Sequence, residues 1–256
     1  MFSPSKKYNA IIILLLCLLS NLSFSQLDSS LKNRIGFSTQ LLLSSPIKIK
    51  RNYTSNQTDI TSGFSPAVQA TITYNRKINN RFWGNIGLNI GSYSFNKKVY
   101  VSNAYNEMNG RDYSSNNPHF GYTFLGLKLG GGYNLINKEK FQIMIGLDII
   151  GSYFFSTIET EFVNFIPTNN AIKKIYTFDV KGNKDELMIF SSELSANFYK
   201  RLKYNLLFNL GLSFTYSQKE TFEGNYIIYG DNQNLTGSFN KTFRHSSFSV
   251  GLFYQF

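Results

Sequence analysis

From Phe248 to Phe256 the chain alternates with period two. Phe248, Val250, Leu252, Tyr254 and Phe256 fall on one side, and Ser247, Ser249, Gly251, Phe253 and Gln255 on the other. Successive side chains of a strand point to opposite faces, so this segment reads as a strand with one apolar and one mostly polar face. The pattern recurs seven more times, and no stretch shows sustained helical periodicity.

The seven other strands are predicted on the same ground. The first carries Ile35, Phe37, Leu41 and Leu43 against Gly36, Ser38 and Gln40. The second carries Phe64, Val68, Ile72 and Tyr74, and the third Phe82, Ile86, Leu88 and Ile90. The fourth carries Leu125, Leu127, Leu129 and Tyr133, and the fifth Phe141, Ile143, Ile145, Leu147 and Ile149. The sixth carries Phe190, Leu194 and Phe198, and the seventh Leu206, Phe208, Leu210, Leu212 and Phe214. Their connections alternate in length. Short turns fall near residues 77–80, 135–140 and 200–203, and long connections span about 44–63, 95–119, 157–186 and 217–244. Short turns on one side and long loops on the other fit an antiparallel up-and-down β-barrel that spans a membrane.

The composition of the polar faces separates a membrane barrel from a soluble one. A soluble barrel would carry many lysines and glutamates on its outer face. Here the polar faces hold almost only Gly, Ser, Thr, Asn and Gln, which suit the cramped interior of a narrow barrel. The charged exceptions assigned to that interior are Lys128, Asp148 and Glu193. They lie at similar heights, and Lys128 and Asp148 sit about a diagonal apart on neighbouring strands. Buried charges need partners, so the three are predicted to form a charge-compensated cluster in the lumen. A selectivity or gating site is the alternative.

The apolar face then meets lipid. Phe37, Tyr74, Phe82, Tyr133, Phe141, Phe198, Tyr204 and Tyr254 lie near the short-turn ends with outward parity, as an aromatic girdle would. Twelve steps separate Phe141 from Tyr153. At strand rise and barrel tilt that is roughly 30 Å of height, close to the thickness of an apolar bilayer core. Eight strands are expected, with a barrel domain over residues 26–256. A fifth membrane hairpin drawn from the loop stretches around Ile158–Phe162 and Ile172–Val180 would instead make ten. Those stretches read as strand pairs continuing above the membrane.

Residues 1–25 carry Lys6 and Lys7, an apolar run from Ala10 to Leu19, and small residues Ser23 and Ser25 before Gln26. This is the pattern of a cleaved signal peptide, and the run is too short for a spanning helix. The one cysteine, Cys17, lies inside it, so the mature chain is expected to lack thiol chemistry. Lysine and arginine exceed aspartate and glutamate by 11 in the whole chain. Export argues against nucleic acid as the partner of that charge. The short turns are strongly basic: Arg76, Lys77, Arg81, Lys138, Lys140, Lys200, Arg201 and Lys203. Anionic lipid head groups, a periplasmic partner, or water alone could face them.

No metal-ligand spacing, phosphate-binding glycine loop or nucleophile elbow is present. No catalytic residue, cofactor or metal is therefore assigned. His245 and Ser247 form an H-x-S pair that resembles outer-membrane lipid A deacylases, but alternation turns both inward, and no acid is identifiable beside them.

Residues 34–256 resemble the outer membrane protein β-barrel domain family, the PorT-like group. The resemblance lies in SPAVQATITYNRKINNRFWGNIGLNIGSY (65–93), in YTFLGLKLGGGYNLINKEKFQIMIGLDIIGSY (122–153) and in the closing FSVGLFYQF. It implies a small outer-membrane barrel, sometimes attached to a protein-secretion apparatus, and with no catalytic motif in the chain a non-enzymatic, partner-binding role is expected. The expected partners are outer-membrane lipids, a periplasmic or extracellular protein, and the barrel-assembly machinery. That machinery would read Phe248, Val250, Leu252, Tyr254 and Phe256 as its signal. A narrow channel and a lipid A-modifying enzyme are the alternative functions.

Overall fold

A computed structural model describes residues 32–54, 58–102, 113–155, 160–167, 172–182, 188–230 and 233–256. The predicted signal peptide lies outside the described residues. Among the described residues there are fourteen strands: β1 (Asn33–Ser44), β2 (Lys48–Arg51), β3 (Thr58–Gly63), β4 (Ser65–Lys77), β5 (Phe82–Val101), β6 (Tyr113–Asn137), β7 (Phe141–Phe154), β8 (Thr160–Pro167), β9 (Ile172–Gly182), β10 (Met188–Arg201), β11 (Leu206–Tyr216), β12 (Glu220–Ile228), β13 (Leu235–Thr242) and β14 (His245–Gln255).

Eight of them close a barrel. Each of β1, β4, β5, β6, β7, β10, β11 and β14 pairs antiparallel with the next, and β14 returns to β1. The closing register runs without a slip from Arg34 opposite Gln255 to Ser44 opposite His245. Closure satisfies the backbone groups that an open edge would leave bare in lipid. The ring has eight strands and not ten, because β8 and β9, the hairpin that would have enlarged it, pair with each other in a separate sheet.

The outer wall is apolar on every strand. Phe37, Val68, Leu88, Leu127, Leu147, Leu194, Leu212 and Leu252, one from each barrel strand, are all exposed. In water each such side chain would forgo about 1.5–3 kcal/mol of burial. A belt of them around a closed barrel is therefore a wall built for lipid.

The long connections fold into a cap. Strands β2, β13, β12, β9 and β8 form a five-stranded sheet in that order. Strand β3 adds to the far part of β5, which runs on beside β6 past the barrel wall. One buried core joins both: Ile60, Val99 and Val101 from the β3–β5 side, and Phe178, Tyr226 and Phe239 from the five-stranded sheet. The same core includes Leu42, Tyr93, Phe124, Phe154 and Ile189, which point into the barrel's upper end. The cap thus grows directly out of the lumen.

Candidate functional site

The interior is filled at three levels. At the middle, Lys128 Nζ lies 2.9 Å from Asp148 Oδ2 and 2.5 Å from Glu193 Oε1. Sheet register brings them together. Glu193 is directly opposite Asp148, while Lys128 is opposite Ile150, one inward position along from Asp148. Asn85 donates to Asp148 at 3.3 Å and Thr215 to Glu193 at 3.1 Å. Gly130, opposite Asp148, is required by this packing: a Cβ there would sit 2.2 Å from the Leu147 carbonyl oxygen and 2.3 Å from Asp148 Oδ1. Around the cluster, Gln40, Gln69 and Thr71 bond one another. Small polar side chains leave a cavity of about 40 Å³, enough for a few water molecules.

At the short-turn end the polar interior predicted from alternation gives way to a hydrophobic and cationic layer. Trp83, Met144, Tyr199, Leu207 and Phe253 form a buried cluster. Arg34, 0% exposed, lays its guanidinium 3.6 Å from the Trp83 ring centre and 4.5 Å from that of Tyr199. The ring faces stand in for a carboxylate partner. Lys128, Asp148 and Glu193 are therefore not the only charges in the lumen. Arg34 has inward parity, but it falls at a strand's first turn of polar sequence, where a basic residue looks like an ordinary solvated one.

At the long-loop end Phe243, in the link between β13 and β14, drops into the mouth. Its ring makes edge contacts with Tyr93 at 4.8 Å, Phe124 at 5.4 Å, Phe154 at 5.5 Å and His245 at 5.0 Å between centroids. The Tyr93 hydroxyl holds the link in place, donating to the Thr242 carbonyl at 2.8 Å and accepting from the Arg244 amide at 3.1 Å. His245 is buried in this layer. Ser247 faces inward and shares a 2.7 Å hydrogen bond with Ser213. The pair is closed off from lipid. An acid does share its row, since Glu193 is opposite Thr215 and Thr215 opposite His245, a proximity that single-strand reading missed.

Lys241 staples the cap to the rim. Its Nζ donates to Ser44 Oγ at 2.9 Å and to the Ser45 carbonyl. Burial pushes its pKa down to about 7, and that of Lys97, whose Nζ lies 3.8 Å from the Phe178 ring centre, to about 8. Folding therefore releases protons above these values. The unfolded chain holds more protons up to its own lysine pKa near 10.5, so stability rises with pH from about 7 to 10. The expected result is a higher thermal unfolding midpoint at pH 9.5 than at pH 6.5. The difference should shrink in Lys97→Met/Lys241→Met, measured by near-UV circular dichroism.

The outward residues take the following positions. Phe37, Phe82 and Tyr254 are exposed, and Tyr74, Tyr133, Phe141 and Phe198 are half-buried against neighbours. Phe82 packs on Tyr133 at 5.0 Å and Phe141 on Phe198 at 5.9 Å. Tyr204 lies in a turn and not on a strand. On β14, Phe248, Val250, Leu252 and Tyr254 share the outer face, and Phe256 follows the strand end, exchanging backbone hydrogen bonds with Asn33. Among the described residues no group of three or more His, Cys, Asp or Glu is placed to hold a metal.

No family model and no curated protein matches the chain. Solved membrane barrels do resemble it. The outer membrane protein OprG from Pseudomonas aeruginosa aligns with a TM-score of 0.47 at 14% identity, over 92% of this chain and 99% of that one. The outer membrane protein AlkL gives 0.43 at 12%, over 92% and 95%. The outer membrane protease OmpT from Escherichia coli gives 0.37 at 11%, over 92% and 99%. Likenesses at this level assign no activity.

Proposed function

We propose that this chain is an outer-membrane β-barrel protein without catalytic activity, closed to flux, that presents its folded cap to a protein partner outside the cell. The short turns then face the periplasm and the cap faces out. The observation that carries this reading is the filling of the lumen at three levels beneath loops that have their own hydrophobic core. A pore needs an open path, and loops built only as linkers need no core. Attachment to a protein-secretion apparatus, which the PorT-like resemblance implies, is the finer form of the same proposal. The test has two parts. In planar bilayers the purified protein is expected to show no stable conductance. In intact cells, crosslinking from cap residues such as Lys48 and Lys98 is expected to capture a defined protein. A steady conductance that changes in Asp148→Asn would overturn the reading in favour of a channel. A shift in lipid A mass that depends on His245 would overturn it in favour of an enzyme.

A further inference from the structure

The chain's positive charge is gathered at one end. In the four long connections thirteen lysines and arginines nearly balance eleven aspartates and glutamates. The short turns and the strand ends beside them hold ten cationic residues against one acidic side chain, Glu139. Two of the ten, Arg34 and Arg201, are buried, and the other eight are exposed or half-exposed around the rim.

A large apolar residue also stands out at or beside each short turn: Ile78 and Tyr204 within their turns, and Leu135 where β6 bulges just before its own. Ile78 is 71% exposed, Leu135 55% and Tyr204 83%. Tyr204 is held out at a conformational cost. It and Asn205 have φ of 53° and 62°, and the Leu206 amide bonds the Lys203 carbonyl at 3.1 Å. Two consecutive left-handed residues make a tight hairpin turn that glycine and asparagine normally fill. A tyrosine in that first position strains the backbone and ends up almost wholly exposed. Apolar tips set among cations are poorly suited to water. They suit the head-group layer of a leaflet, where rings and aliphatic chains dip below the phosphates and ammonium groups meet them.

We propose that the short-turn rim docks on the anionic phospholipid head groups of the leaflet it faces, with Ile78, Leu135 and Tyr204 inserted among them. The orientation assigned above makes this the inner leaflet of the outer membrane. The head-group selectivity itself rests only on the rim. Each engaged cation biases an anionic surface about fivefold, so a rim of this density selects charged lipid strongly.

The test uses the chain in phosphatidylcholine nanodiscs with trace spin-labelled phosphatidylglycerol or phosphatidylcholine, and reads the relative association of the two by electron spin resonance. Phosphatidylglycerol is expected to be preferred by at least about fivefold at low salt, with the preference collapsing at high salt. It should fall several-fold in Arg81→Gln/Lys138→Gln/Lys140→Gln/Lys203→Gln and persist in the cap variant Lys48→Gln/Lys50→Gln/Lys98→Gln. Heat-modifiable gel mobility checks that each variant is folded. Tyr204→Gly relieves the turn and removes the tip, and should weaken the preference while raising stability. Equal association of both lipids, or a preference that follows the cap variant, would sink the proposal. So would a rim variant that keeps its lipid preference but loses a crosslinked acidic protein. Conductance and cap crosslinking are separate readouts, so failure here leaves the proposed function standing.

Discussion

Lys128→Met is expected to cost about 3–5 kcal/mol of unfolding free energy, the range for breaking a buried ion pair and stranding its partner. Here two partners are stranded. Asp148 and Glu193 face each other directly across β7 and β10, and like charges opposite one another in a sheet repel. Lys128 bridges both. Asn85 and Thr215 supply one further hydrogen bond to each carboxylate, which is too little to compensate two adjacent anions. The decisive comparison is with Lys128→Met/Asp148→Asn/Glu193→Gln. Removing all three charges together should recover most of the loss, because the wild-type cluster already spends much of its Coulomb attraction on desolvation. Urea unfolding in lipid vesicles, followed by tryptophan fluorescence of Trp83, measures both. If the single and triple variants lose equal stability, the lysine matters through its packing and not through its charge.

Why this cluster was legible from sequence, and other parts of the lumen were not, follows from how the signals arise. A strand's parity is fixed by its own residues, so Lys128, Asp148 and Glu193 stand out as charges on otherwise small polar faces. Barrel closure follows from eight repeats of that parity. The end layers depend on what lies across the barrel. Arg34 is explained by Trp83 on β5 and Tyr199 on β10, which no local pattern links to it. The upper layer did leave a trace. At Leu41, Leu42 and Leu43, at Tyr153, Phe154 and Phe155, and at Met188, Ile189 and Phe190, alternation breaks into continuous apolar runs. Such a run means both faces of the strand are covered by apolar surroundings. In these three places lipid covers one face and the cap core the other. Phe243 had no such trace. It sits in a short link between two strands, and its position is set by the Tyr93 hydroxyl far away in sequence.

Phe243→Ala should accordingly separate the cap's stability from the barrel's. Truncating a buried phenylalanine costs about 3–5 kcal/mol, and Phe243 loses edge contacts to four rings at once. The loss is expected in the cap, because the barrel ring closes through backbone pairing that Phe243 does not join. Hydrogen exchange should show β12 and β13 opening faster while β1, β11 and β14 keep their protection. Heat-modifiable mobility should persist. Planar bilayers should still show no steady conductance, since the Lys128 cluster and the Arg34–Trp83–Tyr199 layer remain below the gap. A conducting path is expected only when all three levels are opened together, as in Phe243→Ala/Lys128→Ala/Asp148→Ala/Trp83→Ala. If Phe243→Ala alone conducts, the two lower layers do not seal the barrel, and the phenylalanine is a gate over a pore instead of the root of a cap.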